Sequence, residues 1–97
     1  MTIANTPRDQ LVALEQIPNI GPAIARELRR LGIDHPADLK DRDPYEMYER
    51  LCRLERKRFD PCVMDVFLAV VDYMNGGPRK PWWKFTAQRK RRMASRS

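Results

Sequence analysis

Apolar and polar positions along the 97-residue chain alternate with helical spacing in five stretches, and no segment alternates with a period of two. Thr6-Pro7-Arg8-Asp9 sets a capping hydroxyl, a first-turn proline and an acid at the third helical position ahead of Leu11, Val12 and Leu14. This first predicted helix ends near Ile17, because Pro18 disfavours a helical residue before it. Pro22 opens a second helix with Ile24, Ala25, Leu28 and Leu31 on one face, and Gly32 closes it. A short third helix begins at Asp34-His35-Pro36-Ala37-Asp38-Leu39. Asp43-Pro44-Tyr45-Glu46 is a capping-box pattern for a fourth, continued by Tyr48, Leu51, Cys52 and Leu54 or Glu55. Asp60-Pro61 caps the fifth, which runs through Val63, Met64, Val66, Phe67, Val70, Val71 and Met74 to Asn75-Gly76-Gly77. Beyond the cap its acids, Asp65 and Asp72, share one narrow face through Ala69. Such a helix is apolar nearly all round and reads as the central one. The expected fold class is all-α, a single domain of five helices.

Composition locates the end of the core. Leu, Ile, Val and Phe make up 21 of the 97 residues, at the edge of what supports a globular fold, and only Phe85 of them lies in residues 79–97. The chain therefore divides into a helical domain over residues 6–78 and an aromatic and basic extension over 79–97, expected to be partly disordered. Charge divides at the same place. The net charge is +6, yet residues 79–97 carry eight bases and no acid, which leaves the body with eleven bases against thirteen acids and a net of −2. The basic character belongs to the extension, so it does not argue for a phosphate-binding face on the body.

Several function classes fall away. The longest apolar run, Val66-Phe67-Leu68-Ala69-Val70-Val71, is six residues, far short of the roughly 20 a membrane-spanning helix needs. No secretory signal pattern opens the chain. Two cysteines cannot build a disulfide scaffold, and two cysteines with one histidine cannot close a four-ligand zinc site. A cytoplasmic protein of a reducing compartment, without metal or cofactor, is the expectation.

The most informative stretch is Ile17-Pro18-Asn19-Ile20-Gly21-Pro22-Ala23-Ile24-Ala25. It reads as a helix, a turn of a few residues, and a second helix whose N-terminus is bare of side chains. Asn19 is among the few non-glycine residues that accept a positive φ, and Gly21 accepts one freely. Outward-pointing amides near Gly21, Ala23 and Ile24, at the positive end of a helix dipole, form an anion site of phosphate size. These residues resemble the helix-hairpin-helix motif, whose hairpin reads apolar-Pro-Gly-apolar-Gly-Pro-x-x-Ala. Asn19 departs from the first glycine, and Ala23 stands where a basic residue is frequent; Arg26 and Arg29 are the nearest substitutes. The resemblance implies a hairpin, Asn19 to Ile24, that holds a nucleic-acid phosphate without reading sequence. A second hairpin after Gly32-Ile33 would be degenerate, since Asp34-His35-Pro36 lacks a glycine.

Further along, Leu31-Gly32-Ile33, Ala37-Asp38-Leu39, Asp43-Pro44, Leu51-Cys52, Asp60-Pro61-Cys62-Val63, Asp65-Val66-Phe67 and Trp82-Trp83 resemble a small bacterial family known as pathogenicity-locus or mitomycin-resistance proteins. They also resemble the C-terminal domain of TfoX-like competence regulators. The likeness implies a helix-hairpin-helix domain of the SAM-domain-like type.

Other chemistry-bearing residues are sparse. Cys52 and Cys62 read as buried apolar thiols, or as a redox pair in which the N-terminus of the fifth helix lowers the pKa of Cys62. His35 has no nucleophilic partner at a recognisable spacing and reads as a cap. No paired carboxylates, phosphate loop or triad appear, so no enzyme is expected. Trp82 and Trp83 either fold back on the body or stack on bases with Arg79, Lys80 and Lys84 on the phosphates. One ring in and one ring out satisfies both. The run Arg89-Lys90-Arg91-Arg92 is too charged to be ordered alone and attracts polyanions.

The function expected is therefore weak, salt-sensitive binding of the DNA backbone by the hairpin, aided by the basic tail. An alternative is a regulatory module whose hairpin docks a protein partner. A thiol sensor built on Cys52 and Cys62 is a third.

Overall fold

A computed structural model describes residues 7–95. The described residues are all-helical and contain no strand. There are four α-helices among them, α1 (Pro22–Arg30), α2 (Pro44–Glu55), α3 (Pro61–Met74) and α4 (Thr86–Ser95); 3-10 turns at Arg8–Gln10 and Leu14–Gln16 precede α1, one at Pro36–Leu39 lies between α1 and α2, and one at Trp82–Phe85 lies between α3 and α4. Proline at the first position starts α1, α2 and α3, where its missing N–H costs nothing. Asp43 caps α2 by accepting from the amides of Tyr45 and Glu46 at 2.9 and 3.3 Å, and Asp60 caps α3 through the Cys62 amide at 2.9 Å. Gly32, at φ +83°, ends α1 in the left-handed conformation that glycine adopts without strain. His35 caps the third turn, its Nδ1 accepting from the Ala37 amide at 3.1 Å.

The first predicted helix is not α-helical. Thr6, its expected cap, lies outside the described residues. From Arg8 to Gln16 the backbone makes two 3-10 turns separated by extended residues. Two local causes are visible. The Gln16 Oε1 accepts from the amides of both Val12 and Ala13 at 2.9 Å, taking donors that a continuous helix would use. The buried residues Leu11, Leu14, Ile17 and Ile20 recur every third position, which is the 3-10 period rather than the 3.6 of an α-helix. Arg8 anchors the segment, its guanidinium donating to the carbonyls of Tyr73 and Gly77 and lying 4.4 Å from the Tyr73 ring.

α3 is the central element, as its nearly uniform apolar surface requires. Nine of its fourteen residues are buried, and α2, α4, the Pro36–Leu39 turn and the Trp82–Phe85 turn all pack on it. Phe67 is fully buried; cutting it to alanine would cost about 3–5 kcal/mol, the usual loss for a core aromatic.

The basic segment, too charged to order itself alone, is ordered here by the body. Phe85 is buried in the core and Trp82 packs against it. α4 then packs against α3, fixed by Asp65, which is 1% exposed. The Oδ1 of Asp65 accepts from Arg89 Nε at 2.8 Å, and its Oδ2 accepts from the Thr86 hydroxyl at 2.8 Å. A buried carboxylate requires a cation, and Arg89 supplies it. The same pairing holds the guanidinium above its ordinary range, the hydrogen bond to Asp65 outweighing burial.

Candidate nucleic-acid interface

The hairpin forms between the Leu14–Gln16 turn and α1. Ile20 N donates to the Ile17 carbonyl at 3.2 Å, closing a turn with Pro18 and Asn19 at its centre. Asn19 takes φ 76°, the positive value expected of the residue after proline in such a turn. Gly21 does not follow the same expectation. Its φ is −101°, an extended conformation open to any residue, and a Cβ built there would meet nothing within 4 Å. Neither backbone nor packing demands a glycine at this position. Its effect is to leave the N-cap of α1 without a side chain, so the first-turn amides, including those of Ala23 and Ile24, have no capping oxygen in front of them. Gly21, Pro22 and Ala23 are exposed, Ile24 is half-buried, and Ile20 belongs to the core.

Asn19 does more than turn the chain. Its Nδ2 donates to the Lys80 carbonyl at 2.7 Å, and its Oδ1 accepts from the Trp82 amide at 3.1 Å. Both polar ends of one side chain thus fasten residues 80–82 to the hairpin. The signal in the sequence is slight: Asn19 standing where the motif has a glycine marks a position that carries a side chain. The two tryptophans divide as one in and one out. Trp82 packs on the core, while Trp83 is 61% exposed with its ring edge-to-face against Trp82 at 5.8 Å and 83°.

The expected cations separate into engaged and open groups. Arg29 reaches Glu15 at 3.3 Å, Arg89 is held by Asp65, Lys80 lies 5.5 Å from the Phe85 ring, and Arg92 lies 4.2 Å from the Tyr45 ring. Arg26, Arg79, Lys84, Lys90 and Arg91 are exposed, and none of these five pairs with an acid among the described residues. Arg89 therefore leaves the phosphate-binding set: a guanidinium committed to a buried carboxylate has no charge left to offer a ligand.

The thiols depart from the reactive expectation. Cys52 is buried and Cys62 half-buried, and both are free. Burial pushes the Cys62 thiol up, and Asp60 and Asp65 push it further, the opposite direction to the lowering expected at a helix N-terminus. The Tyr48 hydroxyl, which donates to the Phe59 carbonyl, is raised by burial and by its hydrogen bond with Cys52. Among the described residues no cluster of three His, Cys, Asp or Glu side chains forms a metal site. No helix among them is long and apolar enough to cross a membrane.

Comparison with known proteins gives this geometry a family. The model of the pathogenicity-locus family Cdd1 matches residues 7–91. A mitomycin resistance protein, McrB of Streptomyces lavendulae, is 43% identical over 81 residues, covering 84% of this chain and 77% of that protein. No solved structure matches significantly. The matched region takes in the anchoring Arg8, the hairpin, α3 and Arg89 on α4, and the chain belongs to the pathogenicity-locus family.

Proposed function

We propose that the chain is a helix-hairpin-helix module of the SAM-domain-like type that holds a nucleic-acid backbone, DNA foremost, without reading its sequence. The observation that carries this reading is the uncapped start of α1. A glycine that neither φ nor packing requires stands at Gly21, and the amides behind it suit a phosphate oxygen at the positive end of the helix dipole. Arg26, five residues after Gly21, and Arg79, next to the Lys80 carbonyl that Asn19 binds, add charge, and Lys90 and Arg91 on α4 add a salt-sensitive contribution. Such contacts position a backbone and carry no base information. The name of the Streptomyces lavendulae relative adds mitomycin resistance as a setting in which the module would act.

The test is fluorescence anisotropy with labelled duplex DNA over a salt series, comparing the native chain with Gly21→Asp. Aspartate is a favoured N-cap and Gly21 has an extended backbone, so the substitution supports α1 while setting a negative charge at the phosphate position. Stability and binding should move in opposite directions, which separates lost affinity from lost fold. The expected result is at least a tenfold weakening at low salt, about 1.4 kcal/mol. Unchanged affinity would remove the hairpin from binding. It would favour the second reading, a competence-regulator-like module docking a protein, for which Ala23 at the usual basic position and the Arg29–Glu15 pairing already speak.

A further inference from the structure

Trp83 is the one largely exposed tryptophan of the described residues, and it stands on an ordered segment. Its neighbours are fixed on both sides. Trp82 packs on the core and Phe85 is buried in it, while Asn19 binds the Lys80 carbonyl and the Trp82 amide. The Trp82 and Trp83 planes stand at 83°, so Trp82 is not stacked face to face on Trp83, which stays largely exposed. Around it along the chain stand Arg79, Lys80 and Lys84, and no acid occurs from residue 79 onward. A largely exposed indole flanked along the chain by Arg79 and Lys84, neither paired with an acid among the described residues, matches a ligand that alternates flat rings with negative charges.

We propose that Trp83 is a stacking platform for an unpaired base of single-stranded nucleic acid, set beside the hairpin by the Asn19 clamp. The proposal rests on the backbone-binding reading and names its substrate class. In a duplex the bases already stack on one another and present their faces only at the ends. In a single strand each base has a face to give, and one base stacked on an aromatic ring tightens binding roughly five- to 150-fold. The hairpin and the cations hold phosphates in either case, so Trp83 is what discriminates.

The experiment titrates the full chain with a labelled oligothymidylate, an abasic strand of the same length and charge, and a blunt duplex. The native chain should bind oligothymidylate about tenfold more tightly than the abasic strand, the value of one stacked base. Trp83→Ala should erase that difference and leave the abasic and duplex affinities unchanged. Gly21→Asp should weaken all three probes alike, which keeps failure of the hairpin reading distinct from failure of this one. Equal native affinity for the thymidylate and abasic strands overturns the proposal and needs no variant. A Trp83→Ala chain that still prefers thymidylate, or that weakens on every probe alike, overturns it too, and assigns the ring to protein docking or to the fold.

Discussion

Asp65 on the central helix and Arg89 on the terminal one, 24 positions apart, form an ion pair in which the carboxylate is 1% and the guanidinium 15% exposed. The basic extension is a structural part of the domain because of it. Deleting residues after Phe85 would leave Asp65 without Arg89 or Thr86, so the contribution of α4 to binding is better measured with Lys90→Gln and Arg91→Gln.

Replacing Arg89 by methionine keeps much of the side-chain volume but strands a buried charge. The expected loss is about 3–5 kcal/mol, the usual result of removing one partner of a buried pair. Changing Asp65 to asparagine together with Arg89 to methionine removes both charges and should lose less than Arg89→Met alone. Urea denaturation of the three chains checks the order.

Asn19 serves both as a left-handed turn residue and as a clamp, and two substitutions separate these roles. Asn19→Gly keeps the turn and drops the clamp, whereas Asn19→Ala drops the clamp and strains the backbone at φ 76°. Alanine should be the less stable of the two by about 1 kcal/mol. Both should speed hydrogen exchange at the Trp82 amide, whose acceptor is the Asn19 Oδ1. An unchanged exchange rate would refute the clamp.

Cys62 should react sluggishly with iodoacetamide at neutral pH, with a rate that rises only above the ordinary thiol value of 9.0. Asp60→Asn keeps the helix cap while removing one of the carboxylates that raise the thiol, so its rate profile should shift to lower pH. A native midpoint below 9.0 would restore the sensor reading.

Acid should weaken the domain in part through Asp60 and Glu15. Hydrogen bonds from the Cys62 backbone to Asp60, and from its own backbone and then Arg29 to Glu15, hold both carboxyls below their ordinary values of 3.8 and 4.5. The unfolded chain then binds more protons in this range. The stabilisation is present above the ordinary values and is lost as pH falls through the depressed ones. Urea midpoints measured from pH 6 to 2 should fall most steeply below about pH 4, and Asp60→Asn should flatten that fall.

Much of the fold was legible because prolines and short acids punctuate it locally. Pro22, Pro44 and Pro61 mark three helix starts, Asp43 and Asp60 cap two of them, and the uniform apolar surface around Phe67 marks the centre. Local rules failed where a distant or polar side chain decided the outcome. Gln16 captured the amides of Val12 and Ala13 and broke the expected first helix. Asp65 looked like one end of a narrow polar stripe, but its helical neighbours Leu68 and Ala69 are themselves buried. An acid so placed needs a cation from elsewhere, and that requirement was the available sign that a basic residue of the extension would fold back. At the hairpin, Gly21 and Ala23 were readable as an unobstructed helix start. The Asn19 contact to residues 80 and 82 was not, because hydrogen bonds across some sixty positions leave no periodic trace.

The Asp65–Arg89 pair also orders events in time. Synthesis makes the carboxylate 24 residues before the guanidinium that neutralises it. A nascent chain can wind α3 as it emerges, yet closing the core over Asp65 at that stage would bury a lone charge. Completion of the core is thereby coupled to the docking of α4, and the most basic stretch of the polypeptide takes part in closing its own domain.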